Sequence, residues 1–186
     1  MGVRSALARA LARLRDAVSS EETGRRGRVH AERDDEVVVF LIGMRINALW
    51  KVHRWLPIFL VAPRMVSELR AADESGLLGS WTFLSPPRGI GFVQYWADFE
   101  SLREYARDGD GLHLDAWREY NAGDDTVGIW HETYRVSASE TVYNEVPPRG
   151  LGAAAGSDLV PATGRQASAA GRIDGVEDTP PVDRPE

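Results

Sequence analysis

The chain has 186 residues, 43% of them apolar, with 22 basic and 28 acidic side chains, a formal charge of -6 and no cysteine. That length supports one domain with a real core, and the acidic balance excludes a general nucleic-acid binder, which needs a local basic excess to neutralise phosphates. Disulfides, thiolate metal sites and cysteine nucleophiles are excluded. The longest apolar runs fall far short of the ~20 residues a bilayer span needs, so a soluble, cytoplasmic protein is expected.

Residues 1–19 put Val3, Leu7, Leu11, Leu14 and Val18 on one stripe, with arginines at 4, 9, 13 and 15 beside it. This predicts a basic amphipathic helix without the continuous apolar core or small-residue cleavage site of a signal peptide. It reads as a solvated extension, with contact to a membrane surface or a partner as the functional alternative. Residues 20–36 are charged and aperiodic, so 1–36 is expected to be an extension plus linker, and His30 receives no role.

The pattern changes at Val37. VVVFLIGM is an unbroken, β-branched apolar run that predicts a strand buried on both faces, and it ends on Arg45 and Asn47, a strand end where layered folds commonly place ligands. Residues 48–72 have helical spacing interrupted by Pro57 and Pro63, which predicts consecutive short helices or a kinked one. GSWTFLS and IGFVQYW are strand patterns joined by Pro86-Pro87-Arg88-Gly89, a hairpin signal. Asp98 is expected to cap the helix DFESLREYAR, and a further helical segment, 112–121, carries His113, Trp117 and Tyr120 on one face.

TVGIWHETYRV alternates with period two, so Ile129, His131, Thr133 and Arg135 share one face while Trp130, Glu132 and Tyr134 share the other. Residues 153–186, rich in Ala, Gly, Pro and acids, predict a disordered tail. The order strand, helix, strand, strand, helix, strand over 37–152 predicts an α+β, ferredoxin-like split βαβ domain: a four-stranded antiparallel sheet with its helices on one face. Two helices cannot cover all the apolar strand residues. A homodimer that joins two such sheets into a barrel is the expected remedy.

The strings VVFLIGMRIN, LWKVHRWLP, GLLG, VQYW, HLDAWREYN, VGIWHETY and VPPRGLG, in that order over about 37–152, resemble a bacterial and fungal family of monooxygenase-like proteins, mostly uncharacterised, with a fungal fumagillin-pathway member. The resemblance implies the dimeric α/β barrel shared with antibiotic-biosynthesis monooxygenases, some of which use no cofactor, and with haem enzymes of the aldoxime dehydratase type. It transfers no substrate and no catalytic residue.

Three of the four histidines lie in this core, at 53, 113 and 131. Imidazole is the usual proton shuttle near neutral pH, and His131 on a central strand is the leading candidate for a catalytic base, with His53 beside it as a catalytic alternative. His113, near Trp117 and Tyr120, is the candidate axial ligand if haem is bound. Arg45 is expected to stabilise an anion and to line one pocket with His131 if the strand register allows, with a structural ion pair as its alternative role. Asn47, Trp50, Tyr95, Trp96 and Trp117 are the candidate substrate contacts, suited to a small aromatic or polyketide-like molecule, although packing accounts for most of the tryptophans. GLG and GIG lack the strand-before, helix-after setting of a dinucleotide site, and no local metal-ligand spacing occurs. The expected activity is thus a monooxygenase acting without a cofactor, with a haem enzyme or a non-catalytic small-molecule-binding scaffold as alternatives.

Overall fold

A computed structural model of the protein describes residues 27–71, 75–107 and 125–176. The elements are β1 (Arg28–Glu32), β2 (Val37–Ile46), α1 (Val52–Ala71), β3 (Leu77–Ser85), β4 (Gly89–Trp96), α2 (Phe99–Arg107), β5 (Val127–Val136), β6 (Tyr143–Asn144), β7 (Asp158–Pro161) and a short α3 (Ala169–Ile173). They divide into two units. Arg33–Ser139 with Ala153–Ser157 form the larger, and the described parts of Met1–Glu32, Glu140–Gly152 and Asp158–Glu186 form the smaller.

In the larger unit an antiparallel sheet has the order β3-β4-β2-β5, the ferredoxin-like order in which the first and third strands are central. Residues directly opposite in an antiparallel ladder share a face, so the register resolves the sheet into cross-strand rows. On one face the rows run Leu77–Trp96–Val38–Arg135, Ser80–Gln94–Phe40–Thr133, Thr82–Phe92–Ile42–His131 and Leu84–Ile90–Met44–Ile129. Leu69 of α1 and Leu102 of α2 pack with Val38 and Trp96, while Trp55, Ile58 and Phe59 of α1 pack against Met44, Ile46 and Val127. Both helices therefore cover this face, and α1 runs back along β2. Helix α2 starts as the sequence predicts, with the Ser101 amide donating to the Asp98 carboxylate at 2.7 Å.

On the other face, one row reads Phe83–Gly91–Gly43–Trp130 and the next Ser85–Gly89–Arg45–Gly128. The glycine pair is a requirement of close approach: a Cβ at Gly43 would sit 2.6 Å from the Trp130 ring, and one at Gly91 would sit 2.4 Å from Phe83 Cζ. The two aromatic rings lean inward over the bare backbone and meet with centroids 6.3 Å apart.

One expectation is narrowed and two are corrected here. Of the two forms expected for 48–72, consecutive short helices or a kinked one, the structure excludes the first, since α1 is a single helix through Pro57 and Pro63. Pro57 and His53 are both exposed, so water can hydrate the His53 carbonyl that loses its helical donor. The segment expected to be a linker contains β1, and the segment expected to be a disordered tail contains β7 and α3.

These elements form the smaller unit, a three-stranded sheet of order β6-β1-β7. Its order comes from strand pairing and polar pins rather than bulky side chains, which is why composition misled. Arg28 donates to the Ala167 carbonyl at 2.7 Å, Gln166 to Glu32 at 2.9 Å, and the side chain of Arg172 to Glu140 at 2.8 Å. Val29, Leu151 and Ala162 are buried. The amphipathic pattern of 1–19 and the helical pattern of 112–121 lie outside the described residues.

Candidate functional site

The helix-facing side of the larger sheet has an apolar cluster at each end, with Arg135 at the edge of one of them over the Phe99 ring, and is mixed in the middle. One end is filled by Val38, Trp96, Leu69 and Leu102, the other by Met44, Ile46 and Val127. The two rows between them carry Gln94, Thr133 and His131 beside Phe40, Ile42 and Phe92. Apolar walls with a few fixed polar groups are the usual make-up of a small-molecule site.

His131 is exposed, and its imidazole lies against the Phe40 ring with centroids 5.7 Å apart. Thr133 stands two residues along the same strand and on the same face. Gln94 is buried, and its Oε1 accepts from Trp96 Nε1 at 3.1 Å. An indole N–H can only donate, so this bond fixes the amide orientation and leaves the Gln94 nitrogen as the donor end of the group. Gln94 and His131 are two strands and one row apart, roughly 12 Å between Cα atoms. A flat molecule lying across Phe40 and Ile42 could reach both.

Sequence reasoning passed over Gln94. Its signal was a lone amide inside the apolar run IGFVQYW, a position that demands a hydrogen-bond partner.

The register separates residues that the sequence had grouped. Ile42 pairs with His131 and Arg45 with Gly128, and positions 42 and 45 are an odd number of residues apart, so Arg45 points away from the helices and His131 toward them. They do not share a pocket. Tyr95 also lies on the Arg45 face. Trp96 is fully buried as a core residue and packs in a tilted arrangement on Tyr105, ring centroids 5.4 Å apart, so it supports Gln94 instead of meeting a ligand directly.

Asn47 is spent on the chain, its Nδ2 donating to the Asp125 carbonyl at 3.0 Å. Trp50 is 78% exposed ahead of α1, and His53 is exposed in the first turn of that helix. His113 and Trp117 lie outside the described residues. His30, given no role from sequence, is buried on β1 with its Nε2 3.5 Å from Glu32.

Two ionisable groups are perturbed. The Ser101 backbone amide and hydroxyl hold the Asp98 carboxyl below its usual value. Tyr134 is pushed up, because its hydroxyl donates to Glu132 and that carboxylate opposes a phenolate. Among the described residues no three His, Asp or Glu side chains converge as metal ligands, and no helix is long and apolar enough to cross a membrane.

No curated protein sequence matches the chain. Solved structures similar to parts of it include a conserved protein from Methanosarcina mazei (13% identity, 54% of this chain and 92% of that one, TM-score 0.42). SnoaB, described as a cofactor-independent oxygenase from Streptomyces nogalater, is similar at 10% identity over 56% of this chain and 96% of its own (TM-score 0.41). A dabb family protein with a ferredoxin-like fold from Mesorhizobium loti is similar at 13% identity over 54% and 96% (TM-score 0.40). The family model described as monooxygenase af470-like matches residues 37–151, which include every strand of the larger sheet and most of the chain. The chain belongs to the monooxygenase af470-like family.

Proposed function

We propose that the protein oxygenates a small aromatic or polyketide-like substrate, without a cofactor, on the helix-facing side of its larger sheet. Membership of a monooxygenase-like family supports the reaction class. The observation that carries the location is the mixed middle of that face, where the His131 ring lies tilted against Phe40 between two apolar clusters.

In this reading His131 takes a proton from an acidic carbon or phenol, and Phe40 and Ile42 hold the ring against the sheet. Thr133 and the Gln94 amide nitrogen supply hydrogen bonds to the substrate oxygens. The resulting carbanion gives electrons to O2 and a C–O bond forms. The proton ends on the peroxide, and loss of water leaves one oxygen atom as a carbonyl, so the substrate itself supplies both electrons. Arg45 takes no part, because it belongs to the opposite face.

The test is oxygen uptake by the purified chain with a panel of anthrones and polyhydroxylated naphthalenes. His131→Ala should abolish turnover, and Gln94→Ala should raise KM more than it lowers kcat. Thermal unfolding of His131→Ala should stay within about 0.5 kcal/mol of wild type, since the residue is exposed. Full turnover by His131→Ala would remove this reading, and a Soret band in the visible spectrum would favour a haem enzyme instead.

We further infer a homodimer through the sheet face that the helices leave uncovered. Trp81, Trp130 and Tyr134 on that face are 41%, 38% and 51% exposed, a concentration of aromatic surface that a second copy would bury. A monomer in light scattering at micromolar concentration would refute it.

A further inference from the structure

Helix α1 spends only one side on the sheet. Trp55, Ile58 and Phe59 pack against Met44, Ile46 and Val127, and at 3.6 residues per turn the opposite side falls to Val52, His53, Leu56, Pro57 and Leu60. Val52, Leu56 and Leu60, one turn apart, are exposed, Leu60 by 58%, and Leu49 and Trp50 just ahead of the helix are exposed as well. A single apolar residue in water is ordinary, whereas a contiguous stripe of large ones marks an interaction surface.

The start of the stripe is held in place. The Lys51 amide donates to the Ala48 carbonyl at 3.1 Å, the Arg54 amide to the Lys51 carbonyl at 2.9 Å, and Trp55 Nε1 to the Leu49 carbonyl at 3.1 Å, so Trp50 projects from a hydrogen-bonded turn. The charge around it is one-sided. Between Glu36 and Glu68 the sequence contains no acid, in a chain with 28 of them, while Lys51 and Arg54 flank the exposed apolar residues. One acid approaches from elsewhere: Asp125, whose carbonyl accepts from Asn47 ahead of the stripe.

We propose that α1 docks the protein on the surface of an anionic lipid bilayer, with Leu49, Trp50, Val52, Leu56 and Leu60 entering the boundary between headgroups and acyl chains and Lys51 and Arg54 meeting lipid phosphates. Tryptophan favours that boundary because its ring is apolar and its N–H is polar, and Lys and Arg can lay their stems on apolar surface while their charges stay among the headgroups. The helix lies on the bilayer: among the described residues no helix is long and apolar enough to cross one. From Val52 to Leu60 the stripe runs about 12 Å, small beside the roughly 800 Å² per partner of a stable protein interface, whereas shallow insertion into lipid needs no matching shape. The dimer inferred above uses the sheet face that the helices leave uncovered, so both surfaces can be occupied at once. The docking stands whether or not His131 is the base.

Co-sedimentation of the full chain with vesicles of equal parts phosphatidylcholine and phosphatidylglycerol tests it. Saturable binding is expected, weaker on phosphatidylcholine alone, about fivefold weaker in Arg54→Gln, and at least about tenfold weaker in Trp50→Ser and in Leu60→Asp. All three side chains are exposed, so the variants should fold. The chain has no cysteine, so Leu60→Cys can carry a polarity-sensitive fluorophore whose emission should shift to the blue on these vesicles. Residues 1–19 hold a second basic, apolar pattern, and combining Arg4→Gln, Arg9→Gln, Arg13→Gln and Arg15→Gln should leave the shift at position 60 in place at saturating lipid. Absence of binding by the folded chain would hand the stripe to a protein partner, and a dimer turned monomer by Leu60→Asp would hand it to a second copy. Binding indifferent to Trp50→Ser and Leu60→Asp, or without a shift at position 60, would assign the lipid contact to residues 1–19. Each of these results would overturn the proposal.

Discussion

Replacing Gly43 by alanine tests the register and the aromatic pair together. An ideal Cβ at 43 lies 2.6 Å from Trp130 Cε2 and Cζ2 and 2.7 Å from Nε1, whereas carbon atoms in contact prefer about 3.5–4.0 Å. The indole must retreat by roughly 1 Å, and since Trp130 is 38% exposed it can do so by swinging outward. That movement forfeits its contact with Phe83, about 0.5–1.5 kcal/mol, and part of its buried area. Against this, alanine reduces the entropy of the unfolded chain, a gain of about 0.4–1 kcal/mol at a compatible backbone position.

The net expectation for Gly43→Ala is a loss of about 1 kcal/mol, or roughly 2–4 °C in Tm for a chain of this size. In a Trp130→Ala background the clash is gone, and the same substitution should stabilise by about 0.4–1 kcal/mol. Urea unfolding of the four proteins in a double-mutant cycle measures the coupling, expected at about 1–2 kcal/mol. A neutral Gly43→Ala, or the same change in both backgrounds, would mean that Trp130 does not lie over Gly43. Gly91→Ala should cost more, because its Cβ meets the Ile42 carbonyl at 3.0 Å as well as Phe83, and backbone cannot swing away.

Asp98→Ala should destabilise by about 1 kcal/mol through loss of the α2 cap, read by thermal unfolding. Because the folded state lowers the Asp98 pKa, that contribution is present above the unfolded carboxylate value and is lost as pH falls through the folded one, so the gap between wild type and variant should narrow in acid. Glu132→Gln should let Tyr134 ionise at lower pH, followed by ultraviolet difference titration against Tyr134→Phe; an unchanged titration would rule out the Tyr134–Glu132 pair. Deleting 158–186 removes the partner of β1 along Val29–Glu32 and should lower Tm or abolish the cooperative unfolding of the smaller unit, whereas a disordered tail would leave unfolding unchanged.

Much of the larger unit was legible in the sequence because its signals are local. The period-two alternation of 127–136, the apolar run from Val37, the proline-glycine hairpin at 86–89 and the Asp98 cap each follow from what a few neighbouring residues prefer, and the split βαβ order follows from their succession. The family resemblance drew on the same stretches.

What tertiary structure alone decided depends on pairing across the chain. Which residues of β5 face β2 is set by a register that one residue of slip would invert, and that register parted Arg45 from His131 and made core of Trp96. The glycine pair under Phe83 and Trp130 is invisible until 43 and 91 are opposite each other. The strands at 28–32 and 158–161 have little apolar pattern of their own. Each becomes a strand because the other, more than a hundred residues away, supplies its hydrogen bonds, and no local window of sequence contains both.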